Sequence, residues 1–364
     1  MISVLITDID RRKSFDLYSM LSTYDDVYNI VLAVDKGSRS KKFYEKLFDR
    51  NVYFLRSHNF ESDLEYISRS EGLLTFLPIE EDTIRNFLLV NDTLRARFRY
   101  SLPSLKMFDS IRDKLLAANL YEQLDILHPK TLHDEDLGSF RGSVLLKPAK
   151  GSGSRGIMSF ALPKDIDSLR ELSNDNCIIQ EKLPNGDKII GYFALAKKGT
   201  VVDAYAHQRL ITIPMTGGVS VISETISLPD LMKLAARIVN CLQYDGLIML
   251  EFLRVDDRYY IIEANPRLWG SILLAKCNNF SIIRNYIYIC NNLDPIKEDY
   301  VKTRLIWPLG LIILFFTNPI QVSKKLIFDF PKTKVSYTFI GFHGRIRQVI
   351  AYNFNLILAK IRKK

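Results

Sequence analysis

Residues 247–265, LIMLEFLRVDDRYYIIEAN, constrain the fold more than any other stretch of the chain. Two apolar runs of strand length flank Asp256-Asp257, a polar pair suited to a tight turn, so the segment reads as an antiparallel hairpin. Each run is interrupted by one acid, Glu251 in the first and Glu263 in the second, twelve residues apart. Carboxylates turned inward from paired strands are costly unless a cation compensates them. Asn265 and Arg267 follow Glu263 at intervals of two, so strand alternation points all three to one face. Two carboxylates and an amide form an all-oxygen donor set that suits Mg²⁺ bridging nucleotide phosphates. A guanidinium beside them suits a transferred phosphoryl group or a substrate carboxylate. A solvated strand edge explains either glutamate alone, but not so easily the aligned set.

About one hundred residues upstream, LLKPAKGSGSRGIMSF carries Gly151, Gly153 and Gly156 in the order G-x-G-x-x-G. A dinucleotide fingerprint needs a helix after its glycines, and IMSFAL reads as a strand ending at Pro163. A phosphate loop of the Walker type needs Lys-Ser/Thr after the last glycine, where this chain has Ile157-Met158. The remaining template is a strand, a Gly/Ser flap and a returning strand, whose amides close over phosphates; a ligand-free hairpin tip is its bland alternative. Lys147 precedes the flap and can offer a cation to an anionic oxygen.

The rest of the chain frames these two elements. ISVLITDI, IVLAV, VYFL and LLTFL alternate with helix-length polar stretches over the first 77 residues, which indicates a parallel α/β unit. Its first turn, Thr7 to Lys13, has no glycine, so it is built like a nucleotide-binding unit that binds no nucleotide. Asp109–Leu120 has helical character, strands in antiparallel style follow from 143 to 213, and 229–242 begins with Pro229 and carries an apolar stripe of helical spacing. The fold class is therefore mixed, α/β followed by α+β. Four scattered cysteines and five histidines form no ligand-spaced cluster, which argues against a zinc site or a disulfide framework. The acidic, strand-like beginning is unlike a signal peptide, so a cytoplasmic protein is expected.

Taken in order, these motifs resemble the ATP-grasp superfamily, in the branch of carbamoyl-phosphate synthetase large chains, biotin carboxylase and carboxylate-amine ligases. The likeness spans about residues 1–290. Asp113-Lys114 with HPKT at 128–131 resembles the family's entry, LLKPAKGSGSRGI its flap, IIQEKLPNGDKIIGYFAL its nucleotide hinge, and YYIIEANPRLWGS its metal-binding strand. It implies an α/β domain over 1–100, a small lobe with the flap over 101–182, a large lobe with the metal site over 183–294, and an unmatched basic extension over 295–364.

The resemblance implies ATP and two Mg²⁺ ions, replaceable by Mn²⁺. Lys114 and Lys147 would contact phosphates, with Gly151, Ser152, Gly153, Ser154 and Gly156 as the closing flap. Gln180, Glu181, Lys182 and Leu183 would frame the adenine, and Asp187, where the family more often has Glu, would meet the ribose. Glu251, Glu263 and Asn265 would hold metal, Arg267 would steady an acyl phosphate, and Arg209 with Gly217-Gly218 would lie on the substrate side, so that Arg267, Arg209 and Lys147 carry the catalysis. The implied reaction is amide formation between small-molecule carboxylate and amine substrates through an acyl phosphate. A non-catalytic nucleotide sensor and a phosphotransferase remain as alternatives.

Residues 295–364 hold 13 Lys or Arg against Glu298, Asp299 and Asp329. That excess is a solvated basic face, or it meets an anionic membrane, nucleic acid or a phosphorylated substrate. No nucleic-acid recognition motif supports the second. The expectation is a large anionic or lipid-linked acceptor, such as a surface polysaccharide precursor receiving an amino acid, with peripheral contact at the inner face of the membrane. The apolar run Leu305–Phe316, broken by Pro308 and Gly310, is too short to span a bilayer and reads as buried core. The oligomeric state stays open, a homodimer included.

Overall fold

A computed structural model describes residues 2–35, 41–151, 156–184, 189–213, 218–277, 281–297, 301–319 and 334–337. The chain divides into two compact units. One comprises Met1–Ser101, Ser220–Thr225 and Arg267–Lys364, the other Leu102–Val219 and Ile226–Pro266.

The first segment runs β1 (Ile2–Ile6), α1 (Arg12–Leu21), β2 (Val27–Val34), α2 (Lys41–Phe48), β3 (Val52–Phe54), α3 (Phe60–Glu71), β4 (Leu74–Leu77), α4 (Glu81–Leu89), α5 (Asp92–Arg95) and β5 (Phe98–Arg99). Its strands form a parallel sheet in the order β3-β2-β1-β4-β5. The short runs that lack period-two alternation are the central strands, β4 being buried throughout, as expected when helices cover both faces. The turn after β1 manages without glycine because Asp8 itself adopts the left-handed conformation, at φ 51°. The Asp8 carboxylate accepts from the Glu80 backbone N–H and the Thr83 hydroxyl, joining that turn to the start of α4.

The chain continues through α6 (Leu105–Arg112), α7 (Lys114–Gln123), β6 (Thr131–Leu132), α8 (Asp134–Leu137), β7 (Gly142–Pro148), β8 (Met158–Leu162), α9 (Ile166–Leu172), β9 (Cys177–Glu181), β10 (Ile190–Lys197), β11 (Thr200–Ile213), β12 (Val219–Ile226), α10 (Pro229–Cys241), β13 (Gly246–Val255) and β14 (Arg258–Asn265). The stretch of helical character over Asp109–Leu120 is divided between two helices. Asp113 breaks it, its extended backbone capping α7 as its carboxylate accepts from the Leu115 and Leu116 N–H groups. A four-stranded sheet, β6-β9-β7-β8, carries the flap hairpin, and β8 is the returning strand that excludes a dinucleotide fingerprint.

Four long strands lie in the order β14-β13-β10-β11. One face is apolar: Tyr192, Ala194, Ile248, Leu250, Phe252 and Ile261 pack with Leu231, Ala235, Ile238 and Val239 of α10. The β13–β14 turn is the expected one, with Asp256 and Asp257 both at positive φ.

After β14 come α11 (Leu273–Cys277), α12 (Ile282–Cys290), β15 (Thr303–Ile306), α13 (Pro308–Thr317) and β16 (Lys334–Tyr337). These return to the first unit, whereas the sequence division set only 295–364 apart. The reason is visible in the hydrogen bonds: Tyr286 donates its hydroxyl to Phe76 O, Arg12 donates to Gly270 O, and β15 pairs with β12. The apolar run Leu305–Phe316, read as buried core, is a strand followed by a helix, and Ile312, Phe315 and Phe316 of that helix are exposed. No helix among the described residues is long and apolar enough to cross a membrane.

Candidate functional site

Strand register assembles the carboxylates. Glu251 and Glu263 stand directly opposite each other on β13 and β14, and Asn265 is opposite Met249. Strict alternation would have put Glu263 on the face of Ile261, against α10. A β-bulge intervenes: Phe252 pairs with Ile261 and Glu251 with Glu263, so Ile262 is the extra residue and the alternation resets. Glu251, Glu263 and Asn265 consequently share the face away from α10. The alternation that was to carry Arg267 as well ends with the strand at Asn265, followed by Pro266.

The same row continues across the sheet. Gly191 of β10 is opposite Glu251, and His207 of β11 is opposite Gly191. A Cβ at Gly191 would come within 2.6 Å of the Phe193 ring, which stacks on His207 at 4.4 Å between centroids. Burial, then the charge of Arg209, pushes His207 down to about 3, so its imidazole is neutral at ordinary pH. Arg209, two residues along on the same face, pairs with Glu251 and donates to Gly218 O at 3.2 Å. His207 belongs to none of the sequence motifs above, and Gly191 lies within the hinge motif with no role of its own there. The A-H-Q-R alternation leading to Arg209 was the available signal.

On the small sheet, Lys147 is buried and donates to Gln180 Oε1 at 2.9 Å. Burial brings its ammonium down to about 8, an effect the charge of Glu263 opposes and that of Lys114 reinforces. Lys114 lies 3.3 Å from Glu263 and also donates to Gly151 O at 3.0 Å, joining the helix start, the flap and the carboxylate row. Glu181 accepts from the Lys130 N–H, while Lys182 donates its backbone N–H to Ser143 O. Lys182 is exposed and Leu183 half-buried. Gly156 sits at φ 73°, where an added Cβ would also approach Pro148 to 3.0 Å. Ser152, Gly153, Ser154, Asp187 and Gly217 lie outside the described residues.

A small cleft beside this cluster is lined by Lys114, Tyr121, His128, Gln180 and Glu263. The Tyr121 hydroxyl is buried and makes no hydrogen bond among the described residues. Burial, with Glu263 nearby, raises its pKa. A larger cavity of about 590 Å³, lined by Leu234, Arg237, Arg254 and Tyr259, lies on the α10 side of the sheet and shares none of these groups.

Arg267 belongs to the first unit. It donates to Glu81 at 3.1 Å and to Leu268 O. Beside it Lys13 is buried, donating to Ile79 O and Leu268 O and pairing with Glu80 at 3.1 Å. Burial, then the charge of Arg267, brings Lys13 down to about 8 against the pull of Glu80.

Residues 111–271 match the family model described as an ATP-grasp domain. The chain carries an ATP-grasp domain. Solved structures share its fold over most of their length. The biotin carboxylase domain of Hydrogenobacter thermophilus 2-oxoglutarate carboxylase, in complex with MgADP and bicarbonate, is 13% identical with a TM-score of 0.62, covering 82% of this chain and 71% of its own. N5-carboxyaminoimidazole ribonucleotide synthetase from Thermus thermophilus is 16% identical at TM-score 0.61, covering 84% and 81%. Phosphoribosylamine–glycine ligase from Thermotoga maritima is 12% identical at 0.61, covering 83% and 78%. No curated protein matches the sequence. The bulged strand and the flap hairpin both lie inside the ATP-grasp domain, and the mixed α/β architecture is that of the fold.

Proposed function

We propose that this chain is an ATP-dependent ligase that joins a carboxylate to an amine through an acyl phosphate. The observation that carries the reading is the register of Glu251 with Glu263, with Asn265 on the same face and Lys114 against Glu263. The donor set fits Mg²⁺. It offers two carboxylates and an amide rather than a closed cage, and among the described residues no group of three or more His, Cys, Asp or Glu could hold a metal ion. Mg²⁺ is commonly held by one or two carboxylates with substrate phosphates completing its shell. When bound, the metal, for which we expect two ions with Mn²⁺ able to replace them, supplies charge neutralisation at the phosphate oxygens.

The chain's own residues then divide the work. Lys114 and Lys147 bind phosphate oxygens; the reading is supported by Lys114 lying against Glu263 and Gly151 O and by Lys147 being buried against Gln180. Gln180, Glu181 and the backbone of Lys182 and Leu183 hold the adenine, and Asp187 the ribose. The flap, Gly151 to Gly156, closes over the phosphates and excludes water. A substrate carboxylate oxygen attacks the γ-phosphorus as the bond to the bridging oxygen breaks and ADP leaves. An amine nitrogen then attacks the acyl carbon, phosphate departs, and the ammonium proton passes to solvent. Arg267 and Arg209 steady the anionic groups of that sequence. MgADP and bicarbonate on the fold of the Hydrogenobacter domain, and the glycine ligase of the same fold, support ATP use and ligation. The basic excess of residues 295–364 supports an anionic acceptor, lipid-linked or polysaccharide-like, presented in the cytoplasm.

The test is ADP release measured across pools of carboxylates and amines. Release that requires one member of each pool, and that Glu263→Gln abolishes, is the expected result. Slow release indifferent to Glu263→Gln, or a stable phosphorylated product, would replace ligation with one of the other readings.

A further inference from the structure

Helix α7 carries Lys114, Ala117, Ala118 and Tyr121 along one stripe, at i, i+3, i+4 and i+7 spacing, and all four line the small cleft together with Glu263 of β14. Two polar side chains bracket two alanines, whose small size leaves the space between them open. That space is about 10 Å³, room for about one water molecule. Tyr121 is only 4% exposed, and its hydroxyl has no hydrogen-bond partner among the described residues. Leaving a buried hydroxyl in that condition is costly, and such groups are nearly always bonded to protein or to ordered water.

Among the polar side chains of the cleft, Arg112 and Lys114 can only donate, and Gln180 Oε1 already accepts from Lys147 at 2.9 Å. His128 has Nδ1 engaged with Ile126 O at 2.9 Å, which leaves at most one uncharged acceptor, weaker than a carboxylate. Glu263 is the carboxylate of the cleft, and among the described residues only one of its oxygens is engaged, by Lys114 at 3.3 Å. Burial and then the charge of Glu263 raise the pKa of Tyr121, so the two groups lie within electrostatic reach of each other. Resting on the reading of Glu263 as a metal ligand, we propose that Tyr121 is a positioning residue for it: the hydroxyl donates to a single water in the cleft, and that water donates to the second carboxylate oxygen. β14 ends the strand order of its sheet, so among the described residues Glu263 has a strand neighbour on the Glu251 side alone. The bridge supports the carboxylate from the α7 side and fixes its rotation. Hydrogen bonds of this kind orient the groups that hold a metal, and losing one typically weakens metal binding about 10–100-fold.

The experiment measures the Mn²⁺ affinity of the full chain in the presence of ADP, from the paramagnetic resonance signal of unbound Mn²⁺, alongside ADP affinity without metal and the unfolding midpoint. Tyr121→Phe deletes the hydroxyl and keeps the ring. It should weaken Mn²⁺ binding about tenfold or more, with the metal-free ADP affinity and the midpoint unchanged. Unaltered Mn²⁺ affinity in Tyr121→Phe overturns the positioning role and leaves the carboxylate row as proposed. A fall in metal-free ADP affinity that matches the fall for Mn²⁺, with a lower midpoint, also overturns it, because the hydroxyl would then be holding α7 in place and not Glu263. Wild type that binds no Mn²⁺ with ADP present overturns the reading of the row itself, and the role of Tyr121 with it.

Discussion

The two faces of the β14-β13-β10-β11 sheet are made by the same strands and differ in charge. Against α10 the residues are aliphatic or aromatic and need nothing beyond contact. On the other side the row His207, Gly191, Glu251, Glu263 has Arg209 and Lys114 engaged with its two carboxylates. A buried carboxylate without a counter-charge is strongly unfavourable, and Arg209 and Lys114 supply those counter-charges here. The comparison teaches that one face is built for stability and the other carries charges compensated by charged partners, which on the proposed reading a metal and phosphate would replace.

Substitutions on the two faces should therefore separate activity from stability. Glu263→Gln is expected to lower ADP release by about 10³-fold, several kcal/mol of charge stabilisation, with little change in the unfolding midpoint. Arg209→Ala leaves Glu251 without its cation, and chemical denaturation should register a loss of about 3 kcal/mol that added Mg²⁺ partly restores. Ile248→Val, on the α10 face, should cost about 1 kcal/mol of stability and leave the KM for ATP unchanged. A KM shift with Ile248→Val, or no Mg²⁺ rescue of Arg209→Ala, would erase the distinction.

A further consequence concerns pH. Lys147 and Lys13 each fall from the ordinary lysine value of 10.5 to about 8 on burial. Between those values the unfolded chain binds more protons than the folded one, so stability should rise with pH from about 8 to 10.5 and be flat below 8 on their account. Phosphate binding by Lys147 requires the ammonium, so the KM for ATP should rise over the same interval. Lys147→Met should flatten both curves in part, leaving the Lys13 share of the stability slope.

Alternation and turn chemistry made the strand pair, the Asp256-Asp257 turn, the flap hairpin and the parallel unit readable from residues alone. The features that escaped depended on partners. The bulge at Ile262 exists because β13 pairs on both sides of it, and nothing in YYIIEAN marks it. Asp113 splits a helix because its carboxylate caps the second half better than it continues the first. Arg267 follows β14 in sequence, but the chain leaves the sheet at Pro266 and the guanidinium settles on Glu81 of the first unit. Leu305–Phe316 is apolar enough for a core, and only the fold reveals that Ile312, Phe315 and Phe316 face outward.

Calorimetric titration of ATP into the full chain, with and without Mg²⁺, bears most directly on the carboxylate row as a nucleotide-metal site. Binding should be detectable with Mg²⁺, weaker without it, and weakened again by Glu263→Gln in its presence. An absence of binding heat with Mg²⁺, or one affinity shared by all three conditions, would contradict it.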